Sequence, residues 1–448
     1  INLAGLTRDG KDGSNELTYV ALEIFDELRL LQPQGNVQVS ERTPDNVIRA
    51  AARVFRNGMG YPSMFNCDLV IQEQMRAGKT LEDAREGGNS GCIETGAAGK
   101  EAYLLHGYLN VPKLLEYVLT NGVDMMTGKQ VSIKTGELSE FKTFDDLYAA
   151  FEKQMKYAVD QKIAVDNYLR HQYATKAAAT FLSVVIRDCI QNGKDYYNGG
   201  PRYNTDYIQC CGFGTITDSL SAIKVHVYDN KEYTLEELVA AMEANWEGHE
   251  DMRLTMWNKT PFFGNDDDRA DDITRRVFES LFQVIDGRNS ILGPTYKMNG
   301  LSTTCHNYFG QKLGASANGR FKGTPESDGT SPSHGADRNG PTAVVKSLAK
   351  LDQVKTGGTL LNQRFLPSVL AGEEGIEGVK NLIRSYFKLG GHHIQFNVVD
   401  SDTLRDAQKN PDNYRGLLVR VAGYSDYFVD LDNYQQNEII QRTAQETF

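Results

Sequence analysis

Helix signals and short apolar segments alternate along the whole of this 448-residue chain, and this alternation constrains its fold more than any other feature. Thr43-Pro44 predicts a helix with Thr as N-cap and Pro at the first helical position, and Asn57-Gly58 predicts its end. Between the helices lie strand candidates such as residues 394–399, where apolar and polar residues alternate. The pattern predicts an α/β protein, either a barrel or a doubly wound sheet, built as one continuous domain.

Further segments carry helical spacing or capping residues. They are an apolar stripe over residues 17–28, a helix opening at Asn110-Val111-Pro112 and closing at 121–122, a long helix from about 143 to 171, a capping box of Thr234 and Glu237 before a run ending at Gly248, and runs at 273–285 and 379–389. Residues 417–421 form a second apolar strand candidate.

Composition excludes several classes of protein. With 48 basic and 59 acidic residues the formal charge is −11, so no clustered basic surface for nucleic acid is expected. No apolar run is long enough for a membrane span. Six cysteines without a CxxC spacing predict a reduced, cytoplasmic protein with no metal site. The chain starts without a signal peptide and without Met, so we expect it to begin inside a larger protein.

Several motifs lack a part that their chemistry requires. The segment ending in Gly78-Lys79-Thr80 has Glu73 where a P-loop needs glycine, and no strand is followed by GxGxxG. Asp266-Asp267-Asp268 lacks the spacing of a calcium loop. His392 and His393 are adjacent on a predicted strand and face opposite sides, which favours a structural role.

One segment combines a thiol and a carboxylate between glycines: Asn89-Ser-Gly-Cys92-Ile-Glu94-Thr-Gly96. In an extended loop residues i and i+2 face the same side, so Cys92 and Glu94 are expected to point into one cavity. This pairs a sulfur reactant with a proton carrier. A buried, inert cysteine beside a surface glutamate is the other interpretation of this segment.

A second segment reads Arg420-Val-Ala-Gly423-Tyr-Ser-Asp-Tyr427. A predicted strand ends shortly before Gly423, and a polar, aromatic turn follows. Alone, Gly423 indicates no more than a bulge or a turn.

Together the two segments resemble the glycyl radical enzymes, in which the glycine of an RVxGY-type loop holds a backbone radical and a loop cysteine forms a thiyl radical. The Cys-x-Glu form is similar to the dehydratase and lyase branch. Pyruvate formate-lyase has a Cys-Cys pair in that loop, whereas here Cys210-Cys211 lies elsewhere. Further segments resemble those of members that dehydrate trans-4-hydroxy-L-proline: residues 91–96, 99–103, 107–110, 200–204, 258–261, 302–305, 358–365 and 392–397.

The resemblance implies a chemical role for each matching residue. Gly423 would store the radical and Cys92 would relay it to the substrate. Glu94 would act as acid and base in the loss of water from trans-4-hydroxy-L-proline, leaving 1-pyrroline-5-carboxylate. Tyr108 and Thr303 match substrate-contacting positions.

The resemblance also implies a fold and partners. The family's fold is a ten-stranded α/β barrel, and this chain matches about its C-terminal half, with residues 1–400 in the barrel and 401–448 as the glycyl radical domain. No bound cofactor is expected, because a separate activating enzyme with S-adenosylmethionine and an iron–sulfur cluster would install the radical at Gly423. The other expected partners are the small-molecule substrate, the N-terminal half of the fold from the same or another chain, and a second copy in a homodimer.

Three alternatives remain open. The first is a glycyl radical lyase with another substrate: a hydroxyproline C–N lyase, a diol or glycerol dehydratase, or an arylacetate decarboxylase. Ala97-Ala98 replaces a bulkier pair of the family and leaves the exact substrate open. The second is a catalytically silent protein of the same fold, which the intact Cys92, Glu94 and Gly423 oppose. The third is an ordinary hydrolase or NAD enzyme, which the missing motifs disfavour.

Overall fold

The computed structural model describes residues 1–448, in which α-helices and short strands alternate from end to end. The α-helices are α1 (Glu16–Leu28), α2 (Asp45–Val54), α3 (Cys67–Arg76), α4 (Leu81–Arg85), α5 (Val111–Leu119), α6 (Phe144–Lys176), α7 (Thr180–Val185), α8 (Cys189–Asn192), α9 (Phe213–Ala222), α10 (Leu235–Glu243), α11 (Glu250–Lys259), α12 (Asp268–Ile285), α13 (Cys305–Gln311), α14 (Pro341–Ala349), α15 (Gly372–Lys388), α16 (Ser401–Lys409) and α17 (Asn433–Gln441).

The strands are β1 (Asn2–Ala4), β2 (Asn36–Val39), β3 (Ser63–Asn66), β4 (Gly88–Asn89), β5 (Thr95–Gly96), β6 (Glu101–Asn110), β7 (Tyr203–Cys211), β8 (Thr295–Asn299), β9 (Asn362–Phe365), β10 (His393–Val398), β11 (Leu418–Arg420), β12 (Ser425–Tyr427) and β13 (Ala444–Gln445). Six of them form a sheet in the order β1-β2-β3-β10-β9-β13, in which only the β3–β10 pair is antiparallel. A second, parallel sheet has the order β6-β7-β8. The remaining four strands form two small hairpins, β4-β5 and β11-β12.

Most of the predicted helices are confirmed, because their end signals are local. Asn110 caps α5 by accepting from the Lys113 N–H at 3.0 Å, and Thr143 opens the long helix α6 with a capping box. Thr234 and Glu237 form the predicted capping box at α10. Helix α10 ends at Glu243 rather than near Gly248, since the following residues turn.

Two local predictions differ from the structure. Thr43 is not the N-cap of α2: Pro44 takes that position, and the Thr43 hydroxyl accepts from the Ser40 N–H at 3.0 Å. The predicted strand at residues 394–399 forms as β10, but all six residues of β10 are buried, because a central strand is covered on both faces.

The stripe on α1 forms a helix as predicted, yet its apolar side chains at Leu17, Val20, Ile24 and Leu28 are exposed. None of the helices combines the length and apolar character that crossing a membrane requires.

The two sheets each have a large apolar core, and the two hairpins share a third, small one. One core joins the three-stranded sheet to α5, α6, α9 and α12, and the other joins the six-stranded sheet to α1, α2 and α15. This small apolar cluster consists of Ile93, Leu301, Leu360 and Ala422, with Cys92 packed against it. The tips of both hairpins contribute to this cluster, so the fold brings together segments that are far apart in sequence.

Candidate active site

The hairpin β4-β5 carries Cys92 and Glu94 in its turn. The Ser90 N–H donates to the Glu94 carbonyl at 2.8 Å, which closes the turn, and residues 91–93 bend rather than extend. The Ser90 hydroxyl accepts from the Cys92 N–H at 3.1 Å and donates to the Glu94 carboxylate. Ser90 therefore joins the backbone of Cys92 to the carboxyl of Glu94.

The hairpin β11-β12 carries Gly423 in its turn. Gly423 has a φ of +87°, a left-handed conformation that glycine adopts without strain. The Val421 N–H donates to the Tyr424 carbonyl at 2.9 Å across the turn. The main chain at Gly423 is thus held at the tip of a tight hairpin, as the glycine in a strand-to-turn segment predicts.

The two hairpins meet tip to tip at Gly423 and Cys92. A Cβ atom placed on Gly423 would lie 2.7 Å from Cys92 Sγ and 2.7 Å from Cys92 Cβ. No side chain other than hydrogen fits between these two residues. The α-carbon of Gly423 therefore faces the sulfur of Cys92 at the distance of direct contact.

The surroundings of Cys92 keep its sulfur protonated. The pKa of the Cys92 thiol is raised to about 12, mainly by burial and to a lesser extent by the nearby Glu94 carboxyl. The Arg420 guanidinium lowers it by less than Glu94 raises it. Nucleophilic cysteines have a lowered pKa and react as thiolates. Cys92 instead retains its S–H bond, which is the form needed to exchange a hydrogen atom.

Glu94 is 1% exposed and is poised to hold a proton. Burial raises the pKa of its carboxyl, and the hydrogen bond from Ser90 offsets this only in part. Gln209 on β7 donates its side-chain N–H to Glu94 Oε1 at 3.2 Å. A carboxyl with a raised pKa in a buried site has the properties of a general acid and base.

Tyr108 and Thr303 contact one another beside the hairpin turn. Their hydroxyl oxygens are 2.8 Å apart, and Tyr108 on β6 pairs in register with Gln209 on β7. Burial raises the pKa of the Tyr108 hydroxyl, so it stays protonated and can donate. Four of the five residues singled out in the sequence thus form two contact pairs, Gly423 with Cys92 and Tyr108 with Thr303. The fifth, Glu94, is linked to the first pair through Ser90 and to the second through Gln209.

A group of buried charged residues contacts the backbone of the Gly423 hairpin. Arg442 donates to the carbonyls of Arg420 and Val421 at 3.1 and 2.8 Å, and it pairs with both carboxylate oxygens of Glu438. His334 Nε2 lies 3.1 Å from Glu438 and 3.6 Å from Asp328.

Asp328, His334 and Glu438 are close enough together to be considered as metal ligands. Burial lowers the pKa of His334, but the neighbouring carboxylates of Asp328 and Glu438 raise it overall to about 9. The two carboxylates therefore face the guanidinium of Arg442 and an imidazole, His334, whose pKa is raised. This group accounts for how α17 fixes the hairpin.

The adjacent histidines His392 and His393 are both fully buried. His392 Nε2 is 3.0 Å from a carboxylate oxygen of Glu73, and the ring of His393 packs against Phe65 with 4.7 Å between centroids. The two histidines thus contact different neighbours, a carboxylate for His392 and an aromatic ring for His393.

Ser90, Gln209 and Arg442 belong to the site, although no pattern in the sequence indicates their roles. Ser90 lies inside the recognised cysteine segment, so its position was visible but its contact with Glu94 was not. Gln209 and Arg442 reach the site from β7 and from the end of α17, and no local pattern marks such long-range contacts.

Comparison with known proteins places this geometry in a family. A family model described as pyruvate formate lyase-like matches residues 1–310, and one described as glycine radical matches residues 326–429. The chain belongs to the pyruvate formate lyase-like family of glycyl radical enzymes. The resemblance inferred from the two segments is thereby confirmed, as is a glycyl radical enzyme fold of mixed α/β content.

Individual relatives are similar over nearly the whole chain. Trans-4-hydroxy-L-proline dehydratase of Clostridioides difficile is 50% identical over 99% of this chain, and (2S)-3-sulfopropanediol dehydratase of Klebsiella oxytoca is 38% identical over 99%. The crystal structure of the C. difficile hydroxyproline dehydratase with trans-4-hydroxy-L-proline bound superposes with a TM-score of 0.98 over 100% of this chain. The chain spans 56% of the length of the C. difficile enzyme and 54% of that of the K. oxytoca enzyme.

Proposed function

We propose that this chain carries the radical machinery of a glycyl radical dehydratase that removes water from trans-4-hydroxy-L-proline and yields 1-pyrroline-5-carboxylate. The observation that carries the proposal is the contact between Gly423 and Cys92, where a Cβ on the glycine would lie 2.7 Å from the sulfur. The choice of substrate is supported by 50% identity to the hydroxyproline dehydratase of C. difficile.

In the proposed reaction Gly423 stores the radical and Cys92 relays it. The Gly423 α-carbon radical takes the hydrogen atom of the Cys92 thiol, so one S–H bond breaks and one C–H bond forms. The thiyl radical then removes a hydrogen atom from the substrate ring carbon between the nitrogen and the carbinol carbon. Return of that hydrogen atom from Cys92 to the product radical restores the thiyl, which recovers a hydrogen atom from Gly423.

Glu94 is proposed as the acid and base of the dehydration. Its raised pKa lets it take up a proton from the substrate radical and deliver one to the departing hydroxyl, which leaves as water. Tyr108 and Thr303 are proposed to bind the substrate, since their paired hydroxyls form a hydrogen-bonding unit beside Glu94.

The wider organisation is part of the same proposal. Residues 1–400, which contain every strand of the two sheets except β13, are proposed to form about half of a ten-stranded α/β barrel. Residues 401–448 are proposed as the glycyl radical domain, which is supported by a separate small core whose eight buried residues all lie between Val399 and Ile439. The family model for the glycine radical starts earlier, at residue 326. A separate activating enzyme with S-adenosylmethionine and an iron–sulfur cluster is proposed to install the radical, and the rest of the barrel to complete the substrate site.

The test is product analysis after anaerobic activation of the full-length protein. With trans-4-hydroxy-L-proline we expect 1-pyrroline-5-carboxylate to form, and Cys92→Ala to abolish it while keeping the radical on Gly423. Turnover of a diol or sulfopropanediol with none of hydroxyproline would overturn the substrate assignment and leave the radical mechanism standing.

A further inference from the structure

Gln34 joins the two reactive hairpins although it belongs to neither. It lies just before β2 and is 5% exposed. With its amide nitrogen toward the hairpins, that nitrogen is 3.0 Å from the carbonyl oxygen of Gly91 and 3.0 Å from that of Gly423. The amide oxygen then accepts from the Ser425 N–H at 3.2 Å. In the opposite orientation the amide oxygen of Gln34 would face two carbonyl oxygens. Hydrogen bonding therefore favours the orientation with the amide nitrogen toward the hairpins.

Gly91, which precedes Cys92, leaves the space that the Gln34 side chain occupies. A Cβ on Gly91 would lie 2.6 Å from the terminal amide of Gln34, so a larger residue would displace the side chain. Arg420, from the other hairpin, donates to the same Gly91 carbonyl at 3.1 Å. The carbonyl next to Cys92 therefore receives two donors, and Gln34 supplies the one that also reaches Gly423.

The bond to the Gly423 carbonyl has an electronic consequence as well. A radical on the Gly423 α-carbon is delocalised onto its own carbonyl oxygen, and a donor to that oxygen stabilises this delocalised form. The same NH2 group fixes the peptide that carries the sulfur. One side chain thus acts on both ends of the hydrogen-atom transfer.

We propose that Gln34 is a positioning residue that holds the Gly423 α-carbon against the Cys92 sulfur and so sets the rate of hydrogen-atom exchange between them. This inference rests on the proposed radical function. The step it controls is balanced: the Gly423 C–H bond breaks and the Cys92 S–H bond forms, or the reverse, with the unpaired electron moving to the other atom.

Deuterium exchange into the glycyl radical measures this step directly. The thiol proton exchanges with solvent, so in D2O reversible transfer from Cys92 places deuterium on Gly423 and the electron paramagnetic resonance doublet of the α-hydrogen collapses. Gln34→Met keeps the length of the side chain and removes its donors. We expect the activated full-length Gln34→Met protein to show the doublet but to lose it about tenfold more slowly than the wild type.

The control is Gln154→Met, which removes another buried amide. Gln154 on α6 donates to the Ile133 carbonyl at 2.7 Å, and this contact is not part of either hairpin. Its collapse rate should equal that of the wild type. The rate constant is measured on the surviving radical, so partial unfolding or incomplete activation lowers the amplitude and leaves the rate constant unchanged.

Gln34→Glu gives a second test, because its carboxylate has the shape of the amide but repels both carbonyl oxygens. It should slow the collapse as well. Wild-type collapse rates in both Gln34 variants would overturn the inference while the proposed function stands. A wild-type protein that forms no radical, or whose doublet persists in D2O, would instead overturn the proposed function.

Discussion

At the scale of single residues, the site depends on two properties that ordinary catalytic residues lack. Gly423 must have no side chain, both because its φ is +87° and because a Cβ would collide with Cys92. Cys92 must remain a thiol, and burial raises its pKa to about 12. These two requirements are unusual for acid–base or nucleophilic catalysis and suit the transfer of a hydrogen atom.

Gly423→Ala is expected to abolish radical storage and to destabilise the hairpin. The left-handed backbone and the collision with Cys92 together cost about 2–5 kcal/mol of unfolding free energy. Gly416→Ala is the matched control, since Gly416 precedes the same hairpin and has open space around it. Paramagnetic resonance and denaturant unfolding should separate the two variants, and equal behaviour would contradict the close approach.

Glu94→Gln tests the acid–base role without changing the shape of the side chain. The amide cannot carry the proton that the buried carboxyl holds, so turnover is expected to fall by about 10²–10⁴-fold. The radical content at Gly423 should be unchanged, because Glu94 is not part of the Gly423–Cys92 contact. Anaerobic rate measurements at matched radical content check this, and turnover near that of the wild type would rule out the assigned role.

At the scale of elements, local signals predicted the helices well and the contacts between segments poorly. The caps at Asn110, Thr143 and Thr234 act over three or four residues, which a sequence displays directly. The exposure of the stripe on α1 depends on what lies next to the helix, which periodicity does not report. The turn at residues 91–93 bends, so the extended geometry from which Cys92 and Glu94 were expected to face the same side is absent. Ser90 instead joins the backbone of Cys92 to the carboxyl of Glu94.

Helix α17 is expected to stabilise the Gly423 hairpin through Arg442. Arg442→Gln removes the donors to the Arg420 and Val421 carbonyls and takes from the buried Glu438 carboxylate the cation that contacts both its oxygens, a loss of about 3–5 kcal/mol. Hydrogen exchange at residues 418–427 should accelerate. Arg415→Gln, which loses only an exposed pair, should leave exchange unchanged, and equal protection in both variants would contradict this role.

The irregular segment between α13 and α14 contains Glu326, which is fully buried and has no hydrogen-bond partner for either carboxylate oxygen. Burial raises its pKa from 4.5 to about 8. Between pH 4.5 and pH 8 the Glu326 carboxyl is protonated in the folded state and ionised in the unfolded state. The stability that this bound proton contributes is therefore complete below pH 4.5 and is lost as pH rises through 8.

The stability of Glu326→Gln relative to the wild type should therefore be greater at pH 8.5 than at pH 5. We expect the two relative free energies of unfolding to differ by on the order of a few kcal/mol. Denaturant unfolding at the two pH values measures the difference. Parallel pH dependence in both proteins would show that the Glu326 carboxyl titrates normally.

At the scale of the whole molecule, the fold joins segments that no local pattern could pair. Arg420 donates to the Gly91 carbonyl across 329 positions, and Ile93 and Ala422 of the two hairpins share one apolar cluster. The class of protein was predictable because both reactive segments have recognisable sequences. The sheet order, the burial of β10 and the bridging position of Gln34 were not, because each depends on packing between distant segments.

Storage of the radical on Gly423 is tested by the paramagnetic resonance spectrum of the activated full-length protein labelled with [2-¹³C]glycine. We expect an organic radical whose spectrum is split by the ¹³C nucleus in the wild type and in Cys92→Ala, and which is absent in Gly423→Ala. A radical without ¹³C splitting, or one that survives Gly423→Ala, would show that the unpaired electron resides elsewhere.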